Sequence, residues 1–367
     1  MNKLVVSNLV HRPLRSLISV VAVAVEVTLI LLVVGLLVGM LNDSKQRQAG
    51  IGADIMVQPP GSSFFSSVSG APTSIKLVER LRDKPHVVVV APVIQQLNTT
   101  GTVEVISGID LATYEALGGP FRFLAGGPFR GPNEVIVDEY FARDNHVQVG
   151  DNLDTLNHSV RICGIVQQGK GARKFLPITT LQQWMGSEGK ASIFYVKVDN
   201  PDNIKVVIDE FKKIPGMQQF VVRSMPEYLS MLTPANTPGL SKTIDVVIGV
   251  AVIIGFIVIF QAMYTAVMER TREIGILKSL GATKLYIINV ILRETMLLAV
   301  VGIGLGIGIS YAARTAIGAR YPLLPIQITG EWLWKGTAIA LVGAIFGALY
   351  PAFKAAQKDP IDALAYE

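Results

Sequence analysis

Four long apolar segments stand out in the pattern of hydrophobic and polar positions along the chain. We predict membrane-spanning helices at 17–41, 243–268, 295–313 and 332–353, because each contains about 20 apolar residues, the length that crosses a bilayer. Lipid offers no hydrogen-bond partners to the backbone, so none of these segments can be a loop at membrane depth. The first is longer than the apolar part of a signal peptide, and no clear cleavage site follows it, so we expect a retained helix.

Residues 42–242, between the first and second predicted helices, alternate between strand-like and helix-like patterns. The stretches "ADIMVQ", "HVVVVAPV" and "ASIFYVKVD" predict strands, whereas "SIKLVERLRD" and "DNIKVVIDEFKKI" predict helices. A polar loop at 58–73 interrupts this pattern, and a proline-containing linker at 226–242 ends it. The predicted fold class is therefore an α-helical membrane protein with four transmembrane helices and a large mixed α/β extracytoplasmic domain between helices 1 and 2.

The composition agrees with a membrane protein. Half of the residues are hydrophobic and 17% are charged, whereas an ordinary soluble domain is about 25% charged. The net charge of +5 is explained by basic cytoplasmic loops rather than by nucleic-acid binding. Cys163 is the single cysteine of the chain, which excludes an intrachain disulfide.

The distribution of lysine and arginine predicts the orientation in the membrane. The short segments 1–16, 269–294 and 354–367 together carry ten of these residues, whereas the segment 314–335 carries three. Basic residues in short loops favour the cytoplasmic side. We therefore expect both termini and the 269–294 connector to be cytoplasmic, and 42–242 and the short loop 314–331 to lie outside.

Motifs for catalysis or metal binding are not apparent in the sequence. The stretch "GIVQQGKG" at 164–171 matches most of a phosphate-binding loop, but Gly171 stands where that loop needs Ser or Thr, so we interpret it as a flexible turn. The histidines, His11, His86, His146 and His158, are not spaced as metal ligands. We therefore predict no catalytic, cofactor-binding or metal-ligating residue on this chain.

Glu26 is an acidic residue near the middle of the first predicted helix. An ionisable residue at this depth is costly and is by default a functional candidate, so one interpretation is a proton or substrate site. The other is a neutral or hydrogen-bonded acid that faces the helix bundle or a partner subunit, with Ser19 and Thr28 as nearby donors. In the last two spans, glycines at four-residue spacing predict close helix packing. The glycines are Gly302, Gly306, Gly343 and Gly347.

The connector "ERTREIGILKSLGATKLYIINVILRE", at 269–294, places dense charge between two apolar segments. Its periodicity predicts a short amphipathic helix over 269–280, followed by a stop at Gly281 and a cap at Thr283. The apolar side of this helix comprises Ile274, Ile276, Leu277 and Leu280, and the polar side comprises Arg272, Glu273, Lys278 and Ser279. Such a helix either lies on the membrane or docks a cytoplasmic protein, and the mixture of acids and bases favours a protein partner.

The stretch "ERTREIGILKSLGATKLYI" resembles the signature of FtsX-like permeases, the membrane subunits of the MacB/LolC/FtsX type of ABC transporter. The C-terminal "YPAFKAAQKDPIDALAYE" and the N-terminal "NLVHRPLRSLISVVAVAV" resemble the closing and opening segments of that family. In the predicted α/β domain, "NEVIVDEYFARDNHVQVGDNL" and "KFLPITTLQQWMG" look like the periplasmic core. The resemblance covers nearly the whole chain and includes the order of one span, a large outer domain and three spans.

The resemblance implies that the connector is the coupling helix, which sits in a groove of the ATPase. The implied ATPase-coupling residues are Glu269, Arg270, Arg272, Glu273, Ile274, Gly275, Leu277, Lys278, Leu280 and Gly281. On this basis we expect a non-catalytic permease of the bacterial inner membrane that couples a separate ATPase to export or extraction of a substrate on the periplasmic side. ATP and Mg would be bound by that partner ATPase, because only 16 residues precede the first predicted span.

The resemblance also implies further partners and leaves two other functions open. A second permease copy, in a homodimer or with a sister permease, and a membrane-fusion or periplasmic adaptor are the implied partners. An FtsX-type signalling subunit, which relays ATPase state to an extracytoplasmic enzyme, would dock an ATPase through the same connector. A stand-alone membrane enzyme or receptor would have no such partner, so an ATPase gene beside this gene would argue against it.

The predicted orientation is tested by cysteine labelling in intact cells. Cysteine at position 187, in the predicted outer domain, should react with an impermeant thiol reagent added outside, provided that the position is exposed. Cysteine at Ser279, in the predicted cytoplasmic connector, should not react, because the reagent does not cross the membrane. Labelling at Ser279 alone would overturn the orientation.

Overall fold

The computed structural model describes residues 13–62, 71–98, 104–236 and 239–357. Most of the predicted cytoplasmic N-terminus (1–16), most of the predicted tail (354–367), the centre of the polar loop at 58–73 and residues 237–238 of the predicted linker lie outside the described residues.

Helices and strands are numbered in chain order over the described residues. The helices are α1 (Pro13–Ala49), α2 (Leu77–Arg82), α3 (Leu111–Gly118), α4 (Glu139–Asp144), α5 (Ile178–Trp184), α6 (Ile204–Lys212), α7 (Met225–Met231), α8 (Leu240–Glu269), α9 (Thr271–Ser279), α10 (Lys284–Arg320) and α11 (Gly330–Gln357). The strands are β1 (Ile55–Gln58), β2 (Thr73–Ser74), β3 (Val87–Asn98), β4 (Glu104–Ile109), β5 (Phe123–Gly126), β6 (Glu134–Asp138), β7 (Asn152–Thr155), β8 (His158–Val166), β9 (Lys174–Pro177), β10 (Lys190–Ala191), β11 (Ile193–Val198) and β12 (Val221–Ser224).

Four of these helices, α1, α8, α10 and α11, are long and apolar enough to cross a membrane. All of them extend beyond the spans predicted from hydropathy, and α10 continues to Arg320, into the segment that we expected to be a loop from 314. A helix satisfies its backbone hydrogen bonds internally whether its side chains are apolar or polar, so hydropathy marks only the part that lipid surrounds. With a mixed α/β domain between α1 and α8, the predicted fold class is confirmed.

The helix bundle contains α8, α11 and most of α1 and α10, and glycines lie at its tightest contacts. A Cβ atom added at Gly302 of α10 would lie 2.8 Å from the carbonyl oxygen of Val20 in α1, and one at Gly306 would lie 2.7 Å from that of Ala24. A Cβ at Gly347 of α11 would lie 3.1 Å from a carbonyl oxygen of α8. In lipid, where the hydrophobic effect does not drive helices together, such close backbone approach provides the packing that holds them.

The α/β domain, Met40–Thr237, is built on one large mixed sheet. The strand order is β12-β1-β11-β3-β4-β9-β6-β8-β5, and β7 pairs with β8 off this path. The pairs β4–β9 and β6–β8 are parallel, and the other pairs in this sheet are antiparallel. The segments predicted as strands at 53–58, 86–93 and 191–199 form β1, β3 and β11.

Alternate residues of the central strands enter different hydrophobic cores. Ile55 and Val57 of β1 pack with helices α2 and α6, whereas Met56 between them packs with α3 and α7. In β11, Phe194 and Tyr195 divide in the same way. Successive side chains of a strand point to opposite faces, so a strand covered by helices on both faces is a continuous apolar run, as these strands are.

The C-terminal end of α1 belongs to the α/β domain and is fixed there by buried charges. Asp43 Oδ2 accepts hydrogen bonds from Arg47 Nε at 3.0 Å and from Arg173 at 2.8 Å. Arg173 also donates to Asp138 Oδ2 at 3.0 Å, and Asp138 caps α4 by accepting from the backbone N–H of Phe141 at 2.7 Å. Burial raises the pKa of Asp138, and the nearby Arg173 and the Phe141 N–H act in the opposite direction.

The phosphate-loop-like stretch at 164–171 forms a turn between two strands. Strand β8 ends at Val166 and β9 begins at Lys174, so a strand follows the turn where a phosphate-binding loop would start a helix. Lys170 Nζ donates to the carbonyl oxygens of Gly118 and Gly119, at 2.6 and 3.1 Å, and thereby closes the C-terminal end of α3. Tyr114 donates its hydroxyl to the carbonyl oxygen of Lys170 at 2.8 Å, which fixes the turn.

The reactivity of Cys163 and the exposure of Ser187 affect cysteine labelling of the α/β domain. Cys163 is half-buried, its thiol donates to the carbonyl oxygen of Val135 at 3.4 Å, and burial raises its pKa to about 11. Its thiolate, the reactive form, is therefore scarce at neutral pH, and the native background should be low. Ser187 is also half-buried, whereas the adjacent Glu188 is exposed and is the better outer labelling position.

The charge cluster at the end of α1 predicts a stability difference between two arginines of the α/β domain. Replacing Arg173, 15% exposed, by Ala should lower the free energy of unfolding by about 3–5 kcal/mol, because Asp43 and Asp138 stay buried with less compensation. Replacing Arg143, 61% exposed, should cost about 1 kcal/mol or less. Denaturant unfolding of residues 40–237 measures both values, and equal losses would contradict the structural role assigned to Arg173.

Candidate functional site

The connector folds into α9, a short helix between the two long helices α8 and α10. Arg270 is the residue between α8 and α9, and Glu269 is exposed as the last residue of α8. Thr271 donates its hydroxyl to the carbonyl oxygens of Val267 and Met268, at 3.2 and 2.9 Å. These carbonyls lack partners within α8 because the helix ends there, so Thr271 closes α8 at the point where α9 begins.

The C-terminal end of α9 has the helix stop that Gly281 predicts. Gly281 has φ +94°, and its N–H donates to the carbonyl oxygen of Lys278 at 3.0 Å, while the N–H of Ala282 donates to that of Leu277 at 3.0 Å. This pair of bonds is the Schellman motif, which requires a left-handed residue after the helix. Thr283 Oγ1 then accepts from the N–H of Tyr286 at 3.3 Å and caps α10.

The inner face of α9 packs on the bundle. Thr271, Ile274 and Gly275 are buried, and Ile274 packs with Val267 of α8, Ile287 of α10 and Ala355 and Ala356 of α11. Positions 271, 274, 275 and 278 fall on one side of a helix, so this face is continuous. It holds α9 against the ends of three long helices.

The outer face of α9 combines exposed apolar and charged side chains. Ile276, Leu277 and Leu280 are 44%, 38% and 79% exposed, and Arg272 and Glu273 are exposed beside them. We call these five residues the outer face of α9. An apolar surface of this kind on a short helix, with charges at its rim, is suited to contact with another protein.

Two residues of the connector lie elsewhere than the helical pattern predicts. Ile274 was expected on the same side as Ile276 and Leu280, but it is 9% exposed and packs inside the chain. Lys278 was expected on the solvent side, but its Nζ donates to the carbonyl oxygen of Ala356 at 3.1 Å, at the end of α11. A broad amphipathic pattern does not distinguish the face that packs on its own chain from the face that is left outside.

An ion pair links the connector to α10. Arg270 donates to Glu294 Oε2 at 3.1 Å, and the two side chains are 12% and 5% exposed. A cavity of about 80 Å³ adjoins them and is lined also by Glu273, Leu277 and Tyr286. Sequence reasoning selected Arg270 but missed Glu294 as its partner, although an acidic residue at the edge of an apolar segment could have suggested one.

Glu26 and the selected glycines belong to the interior of the bundle and not to α9. Gly302 and Gly306 contact α1, and Gly347 contacts α8. Glu26 lies against Gly255 of α8 and Gly343 of α11. The structure therefore brings together the connector residues at one end of the bundle and places Glu26 in a separate environment.

The comparisons with known proteins give the family. The profile of the MacB-like periplasmic core domain matches residues 16–214, and that of the FtsX-like permease C-terminal domain matches residues 246–360, which include α9. The chain belongs to the FtsX-like, MacB-type family of ABC transporter permeases. The family resemblance inferred from the connector and tail motifs is thus confirmed, and the chain is a permease-family membrane protein.

The chain aligns with only part of the length of its relatives. The chain is 30% identical to the uncharacterised ABC transporter permease YknZ of Bacillus subtilis over 67% of its own length and 63% of that protein. It is 24% identical to the macrolide export ATP-binding/permease protein MacB of a Shewanella species over 97% of its own length and 59% of MacB. The alignments thus span less than two thirds of these relatives.

Two solved structures are similar to part of this chain. The periplasmic region of MacB from Actinobacillus actinomycetemcomitans covers 52% of the chain, with 17% identity and a TM-score of 0.39. The extracellular domain of YknZ from Gram-positive bacteria covers 46%, with 15% identity and a TM-score of 0.36.

The ion pair predicts how firmly α9 is attached to the permease. Replacing Glu294 by Ala leaves a buried guanidinium without this carboxylate, so the backbone amides of 271–279 should exchange with solvent about a hundredfold faster. Replacing the adjacent, exposed Arg293 by Ala should leave exchange within about threefold of the original rate. Hydrogen exchange read by mass spectrometry measures both, and unchanged protection in Glu294→Ala would contradict the bracing role.

Proposed function

We propose that this permease couples a separate cytoplasmic ATPase to the export or extraction of a substrate on the periplasmic side of the inner membrane. The observation that carries the proposal is the outer face of α9, where Ile276, Leu277 and Leu280 remain exposed at the end of a bundle that buries Ile274. ATP and Mg are bound by the partner ATPase. Both termini and α9 are cytoplasmic, in line with the basic residues of these segments.

The attachment of α9 supports a role in transmitting force. Its inner face packs on α8, α10 and α11, Lys278 bonds the end of α11, and Arg270 pairs with Glu294 of α10. A displacement of α9 by an ATPase therefore acts on three helices together, since packed interiors move as units. Helix α1 is continuous from Pro13 to Ala49, and its last turns are fixed in the α/β domain by Asp43 and Arg47. It is the element suited to carry mechanotransmission between the bundle and that domain.

The proposal includes a dimer of permeases. ATPases of ABC transporters act as pairs, and each one needs a coupling helix, so two copies of this chain or one copy and a sister permease complete the assembly. A membrane-fusion or periplasmic adaptor is a further proposed partner of the α/β domain. The alternative function is an FtsX-type signalling subunit, which would use α9 in the same way but act on an extracytoplasmic enzyme.

Substitution of the outer face tests the docking of the ATPase. Leu280→Asp places an unpaired charge in the proposed contact, so affinity for the partner ATPase should fall by about a hundredfold or more. Leu280 is 79% exposed, so the fold of the permease should not change. The matched control is Ser279→Asp, which adds the same charge at an exposed position off the outer face and should change affinity by about fivefold or less.

Binding of the ATPase to each variant in nanodiscs and the ATPase activity of the complex provide the measurements. Full binding and activity of Leu280→Asp would show that α9 is a membrane-surface helix and that the docking role is wrong. Equal losses in both variants would show that charge alone, and not the apolar outer face, decides the contact.

A further inference from the structure

The α/β domain contains a pocket between β2, helix α2 and the connection from α6 to β12. It measures about 250 Å³, and its wall is formed by residues within 73–80 and 215–220. Pockets for drug-sized ligands measure about 300–1,000 Å³, so this pocket has room for a smaller molecule.

The buried part of the pocket wall is apolar. Leu77 and Met217 line the pocket, are 8% and 2% exposed, and belong to the hydrophobic core that α2 and α6 form on the sheet. Phe220 also lines the pocket, is half-buried and packs against the same core. An apolar group that enters the pocket therefore leaves water and contacts a surface that is continuous with the core of the domain.

The two charged side chains that line the pocket are both basic. Lys76 and Arg80 are exposed and lie four residues apart, which places them on the same side of one helical turn. Arg80 Nη2 donates to the carbonyl oxygen of Pro215 at 3.0 Å, and this bond holds the guanidinium group at the pocket. Neither cation forms an ion pair with an acidic side chain of the described residues.

Acidic residues near the pocket are not placed to compensate these two cations. Glu210 of α6 lies 2.6 Å from Lys213 and 3.9 Å from Lys84, so its charge is already paired. Glu79 and Asp83 are close in sequence but do not line the pocket. The loop 59–72, which leads into β2, contains no acidic residue. Uncompensated positive charge of this kind attracts an anion from solution.

We propose that this pocket binds a small organic carboxylate with an apolar body, such as an aromatic acid. The apolar body lies against Leu77, Met217 and Phe220, and the carboxylate accepts hydrogen bonds from Arg80 beside the charge of Lys76. A guanidinium group can donate two parallel N–H bonds to one carboxylate, so Arg80 selects this group. The site goes beyond the proposed function, because it involves neither the ATPase nor α9.

Photolabelling of the full chain in phosphatidylcholine nanodiscs tests the site. The probe is a benzoate that bears a diazirine, and the reference probe is the corresponding benzyl alcohol. The benzoate probe should label peptides from 73–84 and 212–224 saturably, and unlabelled isopropylbenzoate should displace it. The alcohol probe should label these peptides about tenfold less, because it lacks the charge that the two basic side chains compensate.

Substitutions at Arg80 separate its charge from a structural role. Arg80→Gln should reduce labelling by the benzoate probe by about tenfold or more, whereas Arg80→Lys, which keeps the charge but not the paired N–H bonds, should reduce it by only about threefold. The matched control is Arg82→Gln, which removes the same charge from an exposed position of α2 that does not line the pocket. It should change labelling by about twofold or less.

Ser74→Phe is the second variant, because Ser74 lines the pocket and is exposed, so a larger side chain fills the pocket without removing either cation. It should abolish labelling by the benzoate probe. Equal labelling of the original chain and Arg80→Gln would overturn the proposal, and so would equal labelling by the alcohol probe. Displacement by inorganic phosphate as effective as that by isopropylbenzoate would show a general anion surface instead. Failure of the benzoate to label these peptides saturably would reject the small-molecule site and favour contact with an acidic protein surface.

Discussion

A backbone surrounded by lipid must satisfy its own hydrogen bonds, and the rest of this structure depends on that constraint. It makes α1, α8, α10 and α11 continuous helices and confines irregular backbone to their ends. It also removes the hydrophobic effect as a force between them, so the bundle relies on close backbone contact. Gly302 and Gly306 provide this contact for α1, and Gly347 provides it for α8, where larger residues would separate the helices.

At the end of the bundle, hydrogen bonds and an ion pair within a short connector fix the helix ends. Thr271 closes α8, Gly281 ends α9, and Thr283 starts α10, so three helix ends are satisfied within a short connector. Arg270 and Glu294 form their pair at the same level, where both charges are compensated. The buried residues Thr271, Ile274 and Gly275 occupy one face of α9 and leave the other exposed, and that division is what makes the connector suitable for docking.

In the α/β domain, buried charges are compensated by a group of three residues rather than by a single ion pair. Asp43 on α1, Arg173 before β9 and Asp138 at the start of α4 form one hydrogen-bonded group, and each charge is compensated by the next. Such a group costs desolvation but fixes geometry, since moving one member would leave the others unpaired. The last turns of α1 are therefore held in a defined position within this domain, whereas Glu26, deeper in the same helix, has no comparable group around it.

The sequence by itself determined the family, the four spanning helices and the position of the connector, since lipid, helix ends and left-handed glycines impose strong local patterns. It also indicated a mixed α/β domain, although β4, β5 and α3 were not recognised. The segment of β5 is short, and its pairing partner β8 is distant along the chain. Tertiary structure alone decided that Ile274 and Lys278 face inward, that Glu294 pairs with Arg270, and that glycines of α8 and α11 surround Glu26. These facts depend on which surfaces of separate helices meet, and a periodic pattern within one helix does not carry that information.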